Sequence, residues 1–381
     1  MHVMDFSPFS VNTTECTLQE EIEIEGVMLA QAEADQHERI FDIVPILVHR
    51  STLLKDLITA FSDPKILISS LSVKVVDNNG NEEEGEGRGV LRDVLTEFWF
   101  LFLQSLAIGA SSKVPVIRHD YQQREWKAIG RILLYGYCRE GIFPLALSPA
   151  FISSCIFGED SLSEEMLLDS FRMYISADEK DTMDHCLANQ ENISGNSDLM
   201  ELLSSYSCHR IPNEENIQSI FCQLAHQELI QRPRYVANCW SPILQSIKAY
   251  DCFQSAANLC AFYEEIKPTP KKVVKMLNAS PTNDVERNTL EYLKRFIKSL
   301  GGNVLAFLQF TTGASVILQG KQIDVSFTQL DGLSRRPIAH TCGPLLEVPT
   351  TYQCYNELVE EFTAILHEKS AWAFNNYRLN D

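Results

Sequence analysis

Residues 335–352 read RRPIAHTCGPLLEVPTTY, and the position of one cysteine in this stretch decides how the rest of the chain is read. Pro337 and Pro344 stand on either side of Cys342. Proline lacks an amide hydrogen and fixes its own φ, and it pushes the residue before it toward extended backbone, so helix is excluded on both flanks. Cys342 is therefore expected at a strand end or in a loop, whereas free cysteines usually lie in the core. His340 stands close to it, and Arg335 and Arg336 add positive charge that favours the thiolate, the nucleophilic form. On these residues alone two readings stay open, a reactive nucleophile and a buried structural thiol.

Outward from this stretch, SVILQGKQIDVSF (315–327) reads as a hairpin with Gly320 at the turn and Ile323, Val325 and Phe327 alternating beyond it. Leu358, Val359, Phe362, Ile365 and Leu366 mark a closing helix. Upstream, LNASPTND (277–284) breaks the helical pattern at Pro281, and Asn283 with Glu286 three positions later forms a capping-box signal. Val285, Leu290, Leu293, Phe296, Ile297 and Leu300 then share one helical face, which Gly301-Gly302 stops. The break reads as a hinge at 279–284, separating a helical lobe (45–280) from a smaller α/β lobe (281–381).

Farther upstream, ILVHRSTLLKDLITAF (46–61) is an apolar run followed by a helical pattern. ILISSLSVKVVD (66–77) alternates as a strand, with Leu71, Val73 and Val75 on one face. The following NNGNEEEGEGRGV (78–90) invites comparison with phosphate-binding loops, but Glu82, Glu83, Glu84 and Glu86 repel an anion and no Walker lysine is present. A solvated turn carrying Gly85, Gly87 and Gly89 is expected instead. VLRDVLTEFWFLFLQSLAIG (90–109) and REWKAIGRILLYGYCREG (124–141) are helical, and Trp99, Phe100, Trp126 and Tyr135 are expected in the core. Residues 158–212 turn polar and read as a small peripheral subdomain or a mobile insert.

The chain has 381 residues, 45% of them hydrophobic and 22% charged, which suits a soluble globular protein with one or two cores. It has no apolar run of membrane-spanning length and no basic-then-apolar leader, so a cytoplasmic or nuclear protein is expected. Eleven cysteines without a C-x-x-C pair argue against a disulfide framework and against structural zinc. A net charge of −19 excludes general nucleic-acid or anionic-membrane binding and favours protein partners. Residues 1–44 carry ten acids against Arg39 alone, and they read as an acidic appendage, either loosely ordered or a helix laid on a partner.

FLQFTTGASVILQG (307–320) followed by PIAHTCGPLLEVPTTYQCYNELVEEFTAIL (337–366) resembles the C-terminal lobe of HECT-type ubiquitin ligases. The catalytic cysteine of that family lies in an L-P-x-A-H-T-C-F-N-x-L-x-L-P setting. A weaker resemblance extends upstream through residues 73–99, 126–151 and 213–230, so that it spans about Ile46 to the C-terminus. It implies an α+β, bilobal HECT-like fold in which a large, mainly helical N-lobe binds the conjugating enzyme and is hinged to a small α/β C-lobe carrying the nucleophile. Cys342 is then the thioester nucleophile, His340 and Thr341 support its loop, and Phe374 takes the place of the family's tail phenylalanine. The implied partners are a ubiquitin-conjugating enzyme, ubiquitin and protein substrates, with no metal or diffusible cofactor. Three departures stand out. Gly343-Pro344 replaces Phe-Asn, seven residues follow Phe374, and residues 158–212 are short and polar where the family docks the conjugating enzyme. They motivate an alternative, a degenerate HECT-like domain that binds ubiquitin or a conjugating enzyme without transfer. A thiol protease is a weaker rival, since His340 is too close in sequence for the usual base and His367 or His209 would have to approach.

Overall fold

The computed structural model describes residues 42–367, apart from 84, 86 and 189–192. Most of the acidic stretch 1–44 and the expected tail residue Phe374 thus lie outside the described residues.

The first elements form a β-α-β unit. β1 (Ile43–His49) and β2 (Ser70–Val76) pair in parallel, in register from Ile43 opposite Ser70 to His49 opposite Val76. Their alternation places Ile46, Val48, Val73 and Val75 inside. Helix α1 (Leu53–Ala60) crosses between them and buries Leu53, Leu57 and Ile58. The helical layer continues with α2 (Arg88–Ser105), a short β3–β4 pair (Ala107–Ile108 with Val114–Pro115) and α3 (Gln123–Glu140). Glu125 accepts the Gln122 amide at the start of α3, and Gly141 closes it with φ 70°, a left-handed conformation that costs glycine nothing.

Trp99, Trp126 and Tyr135 are buried as expected, whereas Phe100 is 54% exposed, because it lies on the face of α2 turned from the core. The polar stretch 158–212 is built largely of helix: α4 (Pro149–Phe157) leads into it, and α5 (Glu164–Tyr174), α6 (Ala177–Ala188) and α7 (Ser197–Ser205) follow. Phe171, Met183, Leu199 and Leu203 supply enough apolar surface to join the main core. Next come α8 (Ile217–His226), α9 (Arg234–Leu244) and α10 (Ala256–Ile266). The Trp240 indole on α9 donates to the Trp126 carbonyl on α3 at 2.9 Å. Gly130 makes this approach possible, since a Cβ there would stand 3.1 Å from the Trp240 ring.

A second hydrophobic cluster begins at Val273 on α11 (Pro270–Met276). It is completed by α12 (Asp284–Ser299), α13 (Val304–Thr312), α14 (Tyr355–His367) and a four-stranded sheet. The strands are β5 (Leu277–Ala279), β6 (Ile323–Thr328), β7 (Ile338–His340) and β8 (Leu345–Pro349), ordered β5-β6-β8-β7. β6 is parallel to both neighbours, and only β7–β8 is antiparallel.

Two details depart from the sequence reading. Residues 315–318 form no strand, so there is no hairpin at Gly320. Ala314, Val316 and Leu318 pack instead into the first core, and the Ile317 amide donates to the Ile266 carbonyl at 2.9 Å. The boundary between the packing clusters falls at residues 267–272, ahead of the break at Pro281. Ala279, at the edge of the expected hinge, is paired with Val325 in the sheet. The break at Pro281 is therefore a strand-to-helix corner inside the second cluster. The Asn283 side chain caps α12 there by accepting the Glu286 amide at 2.9 Å.

Candidate active site

Strands β7 and β8 form a hairpin whose last pair is His340 with Leu345, leaving Thr341–Pro344 as the turn. The prolines that exclude helix thus bracket a tight hairpin, with Cys342 exposed at its tip. The turn is fixed from within the sheet, because the Asp324 amide donates to the Pro344 carbonyl at 2.9 Å. His340 Nε2 lies 2.9 Å from Glu347 Oε1, diagonally across the hairpin. Its ring is therefore engaged with a carboxylate on β8, which suits loop support. Arg335 turns away from the thiol: it pairs with Glu357 at 2.8 Å and Glu361 at 3.2 Å on α14 and stacks over Tyr352.

A positive charge near Cys342 comes from the first cluster. Thr341 is 4% exposed because the hairpin tip rests on the first turn of α2. A Cβ at Gly89 would come within 2.1 Å of Thr341 Oγ1, and one at Gly87 would reach 3.5 Å from Cys342 Sγ. Gly87 also has φ 91°. These glycines are thus the floor of the seat for the hairpin tip, where the sequence suggested only a solvated turn. Arg92, one turn into α2, donates through Nη2 to the Thr341 carbonyl and, at 3.2 Å, to the Cys342 carbonyl. Its Nε lies 3.9 Å from buried Glu140, which also accepts from Arg88 Nε at 3.0 Å.

Burial pushes the Glu140 carboxyl above the usual range, with Arg88 and then Arg92 opposing. Burial likewise holds Arg92 below its ordinary value, with the Glu140 charge opposing, although an arginine stays charged at such a site.

Farther along α2 the two clusters are stitched by the Thr96 hydroxyl on the Gly313 carbonyl at 2.9 Å and by Gln309 on Asp93 at 3.1 Å. Gly313, at φ 77°, is needed here, since a Cβ would stand 2.9 Å from the Gly89 carbonyl oxygen. Asp93 also pairs at 2.9 Å with Arg50, which binds Glu83 at 2.9 Å and Glu97 as well. Burial lowers the Arg50 value, but the Glu83 hydrogen bond and the charges of Asp93 and Glu97 raise it by more, so it stays a fixed cation. A cleft of about 1270 Å³ lies beside this network, lined in part by Phe100, Leu305, Asp93 and Glu97. Among the described residues, no group of three or more His, Cys, Asp or Glu is arranged to hold a metal ion, and no helix is long and apolar enough to cross a membrane.

The structure thus brings Cys342, Thr341 and His340 onto one hairpin, while Phe374 lies outside the described residues. Sequence reasoning missed Arg92, Glu140, Gly87 and Gly89. The signal for the glycines was present: three of them at alternate positions across the start of a helix mark close backbone approach as well as flexibility. No family model matches the chain, and no curated protein matches it.

Proposed function

We propose that the chain is a HECT-type ubiquitin-protein ligase, with Cys342 accepting ubiquitin as a thioester and passing it to a substrate lysine. The observation that carries this reading is an exposed thiol at a hairpin tip whose backbone is held on both sides, beside an arginine. In the first step the Cys342 thiolate attacks the carbonyl carbon of the thioester joining ubiquitin to a conjugating enzyme. The new S–C bond forms, the old one breaks, and the conjugating enzyme's sulfur leaves as thiolate to take up a proton from water. In the second, the neutral lysine amine attacks the same carbon, the C–N bond forms as the C–S bond breaks, Cys342 leaves as thiolate, and the proton lost by the nitrogen passes to water. Thioester exchange is nearly isoergic and amide formation is downhill, so neither step calls for a metal or a cofactor. His340, tied to Glu347, and Thr341, seated on Gly89, hold the loop.

The test is incubation with a charged conjugating enzyme. A thiol-sensitive ubiquitin adduct is expected in the wild type and in Cys354→Ala, and not in Cys342→Ala. Loss in both variants, or in neither, sinks the assignment. A degenerate domain would bind ubiquitin or the conjugating enzyme and give no adduct.

A further inference from the structure

Resting on the reading of Cys342 as nucleophile, we propose that Arg92 is a positioning residue for that thiol, acting from the helical lobe across the boundary between the packing clusters. Arg92 is 3% exposed, Thr341 4% and Glu140 8%, whereas Cys342 between them and solvent is exposed. A buried guanidinium is costly unless paired, and Glu140 supplies the opposite charge. That leaves Nη2 for two successive carbonyls, those of Thr341 and Cys342. Because peptide units are planar, holding both carbonyls fixes the two planes that flank the Cys342 Cα, and so the direction in which its side chain leaves the backbone. The thiol stays exposed in this arrangement, so the clamp orients it without covering it. Gly87 and Gly89 complete the device: a side chain at 89 would displace Thr341, and the backbone at 87 walls one side of the sulfur. The guanidinium is also close enough to interact electrostatically with the thiol. A planar fork suits two carbonyls, whereas a lysine ammonium is a point charge on a flexible stem.

The full chain is tested as Arg92→Met, Arg92→Lys and Gly89→Ala. Adduct formation on Cys342 is followed against the concentration of charged conjugating enzyme, and alkylation of Cys342 by iodoacetamide is followed by peptide mass. Arg92→Met is expected to lower the maximal adduct rate roughly 10- to 100-fold with an unchanged half-saturating concentration, since a small misplacement of a reacting atom costs rates of that order. Arg92→Lys recovers part of the loss. Alkylation slows several-fold in Arg92→Met and less in Arg92→Lys, because the two carbonyls that set the direction of the Cys342 side chain lose their donor in one and keep a donor in the other. Gly89→Ala keeps the guanidinium but places a Cβ 2.1 Å from Thr341 Oγ1 and 2.9 Å from the Cys342 amide nitrogen, so it drives the hairpin tip from its seat and lowers the maximal rate of protein that is still folded; it decides the matter if Arg92→Met does not fold. If the wild type forms no adduct, the ligase reading fails and alkylation alone judges the positioning role: slowing in Arg92→Met with recovery in Arg92→Lys supports it, and equal rates overturn it. With adduct formed, an unchanged maximal rate in both Arg92→Met and Gly89→Ala overturns it, as does a loss seen only in half-saturation or melting temperature.

Discussion

Thr341 and Cys342 are neighbours with opposite fates, one buried under the hairpin and the other exposed at its tip, and the contrast extends to the other thiols. Burial pushes the Cys138 thiol on α3 up to about 11, against the Tyr250 hydrogen bond and the Arg139 charge. Its folded value lies above the ordinary thiol value of 9.0, so between the two the folded chain keeps a proton that the unfolded chain has already released. Unfolding then releases a proton, and stability falls as pH rises from about 9 to about 11. In Cys138→Ser this fall, followed as the urea midpoint across that range, is expected to be shallower than in the wild type. An identical slope in the two proteins would show that the Cys138 proton is not linked to folding.

At the scale of single elements, α12 depends on its cap. Asn283 accepts the Glu286 amide, and the Glu286 carboxylate accepts the Thr282 amide at 2.6 Å, so two amides at the helix start find partners. Asn283→Ala is expected to cost about 1 kcal/mol of stability in urea unfolding, and Cys342 adduct formation by the folded protein should be unchanged. Ala279 is bound into the sheet, so proline there disturbs β5 itself. The segment at which packing passes from one cluster to the other is 267–272, which joins α10 to α11 and includes the first turn of α11.

Across the whole molecule the chain crosses between clusters more than once. It leaves the first after Ile266, returns with Ala314, Val316 and Leu318, and leaves again for β6. Leu318 is 3% exposed and lies near Gly141 at the end of α3. Leu318→Ala is expected to cost about 2–4 kcal/mol, as buried leucine truncations do. The effect should appear in tryptophan fluorescence, because Trp99, Trp126 and Trp240 all sit in the first core. An unchanged fluorescence midpoint would mean that the returning segment adds nothing to that core.

The sequence by itself determined the local elements: the strand with Val73 and Val75 on its buried face, the cap at Asn283, the α14 face with Leu358 and Phe362, and the non-helical setting of Cys342 between two prolines. Each depends on periodicity or backbone restriction within a few residues, which a linear reading detects. Only the tertiary structure decided that residues 315–318 join the first core instead of forming a hairpin, that Phe100 faces outward, and that Arg335 serves α14. It alone brought Arg92 to the carbonyls of residues about 250 positions later. That contact exists because Gly89 leaves room for Thr341 and because buried Glu140 balances the guanidinium, two conditions set by packing between distant segments and written in no local pattern.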